Sequence, residues 1–111
     1  MANMDELIAS LSEWTAKLED PRIKAQFVGF EKTLQFNFID EPFHILMEFK
    51  DGTCELKEGS VENPDITITT KTDIISGITS KQIDPMKAFV TRKLKASGDM
   101  KSMLKVQLLM K

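Results

Sequence analysis

Leu34-Gln35-Phe36-Asn37-Phe38 and Phe43-His44-Ile45-Leu46-Met47-Glu48-Phe49-Lys50-Asp51-Gly52-Thr53-Cys54-Glu55-Leu56 decide the fold. Apolar residues recur here at every second position, the period of a strand with one buried face. Leu34, Phe36 and Phe38 face one way, and Thr33, Gln35 and Asn37 the other. After a turn at Asp40-Glu41-Pro42, Phe43, Ile45, Met47 and Phe49 alternate with His44, Leu46, Glu48 and Lys50. Asp51-Gly52 is a two-residue hairpin signal, because both positions of that turn need positive φ. Cys54 and Leu56 continue the alternation. A loop through Gly59 and Asn63-Pro64 leads to Ile66 and Ile68, which alternate with Thr67 and Thr69. The pattern predicts four strands of a largely antiparallel sheet, one face apolar and one wet.

Helical spacing flanks this block. Asn3, with Glu6 three residues on, is placed to cap a helix carrying Met4, Leu7, Ile8, Leu11, Trp14 and Leu18 on one stripe. Asp20-Pro21 opens a second, short helix that stops at Gly29. In the last third, Thr72 is expected to cap a helix carrying Ile74, Ile75 and Ile78. Asp84-Pro85 opens another, with Met86, Phe89 and Val90 inward. Leu94 and Ala96 alternate in a short fifth strand. Gly98-Asp99 begins a final helix containing Met100, Met103, Leu104, Leu108 and Leu109. This order predicts an α+β fold, a five-stranded mostly antiparallel sheet with helices packed on one face, forming a single domain over residues 1–111.

Composition narrows the chemistry. The 111 residues include one Cys, one His and no Tyr, and Phe supplies seven of the eight aromatic rings. A disulfide within the chain and a Cys/His zinc site are excluded. Cys54 points to the apolar face and His44 to the opposite one, so they are not expected to pair for catalysis. Asp5, Glu6, Asp20, Asp84 and Asp99 read as caps or first-turn charges. No carboxylate sits in an apolar run where burial would tune it for proton transfer. No phosphate loop or nucleophile elbow is present. No metal, cofactor or catalytic residue is expected. The acidic start of the chain does not read as a secretory signal, so a cytoplasmic protein is expected.

Charge is unevenly spread. Residues 1–70 carry 14 acidic and 6 basic residues, whereas residues 71–111 carry 3 acidic and 9 basic. Lys87, Arg92, Lys93, Lys95, Lys101 and Lys105 make the densest basic stretch, which reads either as a solvated face or as a site for an anionic membrane or headgroup. Nucleic acid is not expected, since exposed aromatics are not interleaved with these cations. Met86, Met100, Met103 and Met110 lie in the same third, where flexible thioethers suit variable apolar ligands.

Asp84-Pro85-Met86-Lys87-Ala88-Phe89 followed by Lys93-Leu94-Lys95-Ala96-Ser97-Gly98-Asp99 resembles the sterol carrier protein type-2 family. Gly59 and Pro64-Asp65-Ile66-Thr67-Ile68 look like that family's loop and next strand, and the resemblance runs from about Thr33 to the end. Two departures stand out. Arg92 replaces a frequent Gly, which predicts a different local backbone. The chain ends Leu109-Met110-Lys111 rather than in a peroxisomal tripeptide, so peroxisomal import is not expected.

The resemblance implies an apolar tunnel between sheet and helices. It also implies non-catalytic binding and intermembrane transfer of fatty acids, fatty acyl-CoA, phospholipid or sterol. Phe36, Phe38, Ile45, Met47, Phe49, Leu56, Ile66 and Ile68 are expected in one wall, and Ile74, Ile78, Met86, Phe89, Met103, Leu104 and Leu108 in the other. The six basic residues would meet headgroups or a transiently bound anionic membrane. Two other readings stand beside this one. One is an accessory domain docking a lipid enzyme through the sheet or the Trp14 helix; the other is an acyl-CoA hydrolase using His44. The sequence does not set the oligomeric state.

Overall fold

A computed structural model describes residues 3–110; Met1, Ala2 and Lys111, the last residue of the terminal tripeptide, lie outside it. The elements are α1 (Met4–Ala16), one 3-10 turn (Lys17–Glu19), α2 (Pro21–Gln26), β1 (Glu31–Phe38), β2 (His44–Lys50), β3 (Thr53–Glu58) and β4 (Ile66–Thr70). There follow α3 (Thr72–Thr79), α4 (Pro85–Val90), β5 (Leu94–Gly98) and α5 (Met100–Met110). The strand order is β3-β2-β1-β4-β5. Only the β1–β4 pair is parallel; β1–β2, β2–β3 and β4–β5 are antiparallel.

Register turns the two-residue period into rows across the sheet. Leu56, Met47, Leu34 and Ile66 lie side by side, as do Ile45, Phe36, Ile68 and Ala96. These rows face the helices. Trp14 of α1 meets Phe36 at 6.3 Å between ring centroids, and Phe36 stacks on Phe38 at 6.1 Å. Phe27 and Phe30, in the turn after α2, close on Phe49 at 5.7 and 5.2 Å. Each such ring taken out of water stabilises the fold by about 1.5–3 kcal/mol.

The outer face of the sheet is not simply wet. The chain must pass from edge strand β3 to β4, beyond β2 and β1. Its connecting loop crosses the outer face, where the Val61 N–H donates to Gln35 Oε1 at 2.9 Å. Gln35 and Leu46, both expected to be solvated, are therefore buried. Alternation predicted their face correctly but carries no information about a loop that returns over it.

The caps follow the sequence in most cases. The N–H of Glu6 donates to Asn3 Oδ1 at 2.8 Å, that of Arg22 to Asp20 Oδ1 at 2.9 Å, and that of Met86 to Asp84 Oδ1 at 3.0 Å. Thr72 differs: it lies inside α3 rather than capping it. Its N–H and hydroxyl both donate to Asp40 of the β1–β2 turn, at 3.0 and 2.6 Å, so a distant carboxylate supplies the cap. That hydroxyl, with the Thr72 N–H, holds the Asp40 carboxyl below its usual range.

Both Asp51 (φ 43°) and Gly52 (φ 86°) take the positive φ that the hairpin demands. Helices α3 and α4 end alike. Gln82 N–H bonds Gly77 O and Lys81 N–H bonds Ile78 O; Lys93 N–H bonds Ala88 O and Arg92 N–H bonds Phe89 O. This Schellman pattern puts Lys81 (φ 66°) and Arg92 (φ 62°) in the left-handed region. The departure at Arg92 therefore leaves a glycine-type backbone in place and loads it with a side chain. Arg92→Gly is expected to raise unfolding free energy by about 0.5–1 kcal/mol in urea melts. A loss of stability would show instead that the Arg92 side chain makes a contact worth more than the strain.

Candidate functional site

The sheet residues expected in one wall lie on the inner face of the sheet. Phe36, Phe38, Ile45, Met47, Phe49, Ile66 and Ile68 are buried on the inner face, and Leu56 on edge strand β3 is half-buried. Opposite them, Ile74 and Ile78 of α3 and Met103 of α5 are buried, and Phe89 of α4 is half-buried. Among the described residues no charged side chain is buried. The space between the layers is uncharged and mostly apolar, with the hydroxyls of Thr70, Thr72 and Ser102 buried at its edges and each hydrogen-bonded.

Three expected wall residues face solvent instead. Met86 is 56% exposed, Leu104 66% and Leu108 37%; Val90, also expected inward, is 75% exposed. The final helix turns Ser102, Met103, Val106, Leu109 and Met110 to the core. Apolar residues occupy most of its circumference, and periodicity alone does not say which stripe docks. Helix α4 buries Ala88, the small residue that lets its backbone come close to the sheet. Ala88 stands outside the expected inward set of Met86, Phe89 and Val90, because a single methyl carries little weight in an apolar pattern.

Leu7, Leu11 and Trp14 of α1 are buried against the inner face, along with Phe27, Ile75, Leu94, Val106 and Leu109. None of these is among the expected wall residues, although the apolar stripe of α1 is legible in the sequence. With Trp14 only 3% exposed, this helix offers no indole to a docking partner.

Where α4 approaches α5, Asp84, Pro85, Met86, Phe89, Gln107 and Met110 line a mostly apolar cleft of about 70 Å³. That is well below the roughly 300–1,000 Å³ of ordinary ligand pockets. The basic residues do not gather at it as one patch. Lys87 and Lys93 line a shallow depression beside α4, and Arg92 and Lys93 line another with Lys71 and the exposed Ile39. Lys95 pairs with Thr69 in register and points to the outer face of the sheet. Lys101 is exposed at the start of α5, while the Lys105 ammonium sits 5.6 Å over the Phe30 ring. That contact turns Lys105 away from a free headgroup role in this conformation.

Cys54 lies beside Phe49 in register and His44 beside Asn37, which places them on opposite faces of the sheet. Burial, followed by repulsion from Glu48 and Glu55, pushes the Cys54 thiol up to about 12. His44 Nδ1 is buried without a hydrogen-bond partner. Among the described residues no three His, Cys, Asp or Glu side chains come together to hold a metal, and no helix is long and apolar enough to cross a membrane.

The model of the SCP-2 sterol transfer family matches residues 11–111. Solved structures share the fold at low identity. A double mutant of the sec-alkylsulfatase PisA1 aligns with a TM-score of 0.76 and 21% identity over 97% of this chain, which spans only 16% of that enzyme. The sterol carrier protein domain 2 of Helicoverpa armigera gives 0.72 and 20%, covering 92% of this chain and 82% of its own. Palmitated SCP2L2 from Aedes aegypti gives 0.61 and 19%, covering 86% and 94%. No curated protein matches the chain by sequence.

The Cys54 environment makes a direct prediction. At about pH 8 a thiol held near 12 is almost wholly protonated, so iodoacetamide should alkylate the native protein at least about a hundredfold more slowly than the urea-unfolded chain. Equal rates would mean that the thiol is exposed and its burial misassigned.

Proposed function

We propose that this chain, which belongs to the SCP-2 sterol transfer family, holds one lipid between its inner sheet face and its helices and carries it between membranes. The observation that carries this reading is the uncharged interior, walled by Phe, Ile, Leu and Met, with the α4–α5 cleft beside the partly buried Phe89 and buried Met110. The ligands that fit are fatty acids, fatty acyl-CoA, phospholipids and sterols, held without covalent chemistry, metal or cofactor. Phe36, Met47 and Ile68 on the sheet and Ile78, Phe89 and Met103 on the helices are the contacts we assign to the lipid tail. Met47 and Met103 are unbranched and adapt to tails of different shape. Palmitate on the Aedes aegypti neighbour supports an acyl chain as one such ligand. We assign the carrier to the cytoplasm and its transient partner to an anionic membrane.

The tail must displace side chains or part α4 from α5, since the cleft is small. Binding is therefore coupled to a local opening, and its free energy is what remains after that cost. Each buried methylene contributes about 0.8 kcal/mol, so a chain of about 14–18 carbons leaves room for micromolar affinity or better. A second reading is favoured by the sec-alkylsulfatase, in which a fold like this one is a small part of a larger enzyme chain. In that setting the domain serves an enzyme by presenting lipid or by docking. A saturable protein partner with no lipid exchange would support it.

Displacement of a fluorescent fatty acid from delipidated protein tests the carrier reading, with palmitate expected to compete at micromolar concentration or below. Met103→Trp, verified as folded by its melt, should weaken that binding by about tenfold or more, because the indole takes the volume of the tail. No displacement by any fatty acid, acyl-CoA or sterol would reject the reading. Unchanged affinity in Met103→Trp would remove Met103 from the lipid wall.

A further inference from the structure

Eight large apolar side chains are exposed among the described residues, and five of them lie on two short helices. Met86 and Val90 stand one turn apart on α4. Met100, Leu104 and Leu108 follow at the same four-residue spacing on α5. Between the two helices runs the cleft lined by Asp84, Pro85, Met86 and Phe89 on the α4 side and Gln107 and Met110 on α5, so that α4's Met86 opens onto α5 beside its exposed stripe. Solvation does not account for such a surface, since each of these side chains is stabilised by leaving water.

Charge decides what covers it. Neither α4 nor α5 contains an acidic residue. Asp84 and Asp99, just before them, are engaged as caps: Asp84 accepts from Met86 N–H, and Asp99 accepts from the Ser102 N–H and hydroxyl. The charges bordering the surface are Lys87 on α4 and Lys101 and Lys105 on α5, the last two about 100° round the helix from Met100 and Leu104. A second copy docked on this face would bring three Lys of like charge together against one bordering carboxylate, Asp84, that already accepts the Met86 N–H. An anionic bilayer answers both features, with acyl chains for the apolar stripes and phosphates for the ammonium groups, which reach upward on their own apolar stems.

We propose that α4 and α5 form a bilayer-docking face that seats Met86, Val90, Met100, Leu104 and Leu108 among the acyl chains of an anionic membrane. This inference rests on the carrier reading and gives it a direction. The cleft that borders the interior is pressed against the membrane, so a lipid tail passes between bilayer and protein without crossing water. Docking also frees Lys105 from the Phe30 ring to meet a phosphate.

The test uses Leu104→Trp and Val61→Trp. Val61 lies in the loop across the outer face of the sheet, away from the helices. Each variant is mixed with vesicles of phosphatidylcholine and phosphatidylglycerol containing brominated acyl chains, and the Trp14 signal of the wild type is subtracted. The Leu104→Trp indole should shift to the blue and be quenched, that shift should fade with added salt, and Val61→Trp should show neither change. Val90→Glu with Leu104→Glu should lower the vesicle partition coefficient by at least about tenfold. Absence of quenching at position 104, equal quenching at position 61, or unchanged partition of the double variant would overturn the docking face. A vesicle-free wild-type dimer that becomes monomeric in the double variant would overturn it in favour of a second copy. Fatty acid displacement by the wild type in solution is measured separately. Displacement without vesicle insertion rejects the docking face alone, and insertion without displacement rejects the carrier reading alone.

Discussion

The architecture hangs on the close passage of Gly98 over Asp65. A Cβ at Gly98 (φ 102°) would fall on the Asp65 carbonyl oxygen, so no other residue fits there. That same oxygen accepts the Asp99 N–H at 2.8 Å, while Asp65 Oδ2 accepts the Thr33 N–H at 2.9 Å. One residue thus fixes the end of β5, the start of β4 and the register of the parallel β1–β4 pair. Asp99, held against it, caps α5 and reaches Lys32 of β1 at 3.2 Å. Ser102 and Lys32 pull the Asp99 carboxyl down to about 2 from an ordinary 3.8. The stabilisation from this lowered value is complete above the ordinary carboxylate range and is lost progressively as pH falls from about 4 through about 2. The position and tilt of the final helix, and with it the roof over the apolar interior, follow from this junction.

With α5 pinned at its N-terminus, its remaining turns have two jobs. One stripe, Met103, Val106 and Leu109, closes the interior. The adjacent stripe, Met100, Leu104 and Leu108, is left outside. Short α4, joined to β5 through the left-handed Arg92, carries the same division: Ala88 in, Met86 and Val90 out. A helix pair that is apolar on both sides is suited to stand between a protein interior and a membrane. No internal polar network ties α4 to α5 among the described hydrogen bonds, and separation of the two mainly exposes apolar surface that a lipid would cover.

The sheet and its inner face were legible because a period of two leaves little freedom once one face is buried. The strand order was not legible, because the period is blind to which strands are neighbours and which pair in parallel. The buried Gln35 and Leu46 were not legible, since what covers them is a loop from another part of the chain. The caps at Asn3, Asp20 and Asp84 are local chemistry and were read correctly. The cap of α3 comes from Asp40, 32 residues upstream of Thr72, and no local signal reports it. In the final third, apolar residues on most sides of α5 and the small Ala88 in α4 hid the docking stripe. Met86, Leu104 and Leu108 were therefore assigned to the interior, and they lie on the surface that most needs an explanation.

The central claim is that an acyl chain lodges between the inner sheet face and α5. Methionine methyls report on it directly, because Met47 and Met103 are buried in the two walls while Met86 and Met100 lie outside. With methyl-labelled methionine and palmitate added to delipidated protein, nuclear Overhauser contacts should join the palmitate methylenes to the Met47 and Met103 methyls. Contacts confined to Met86 and Met100, or none at saturating palmitate, would contradict the account by showing that the interior stays closed to lipid.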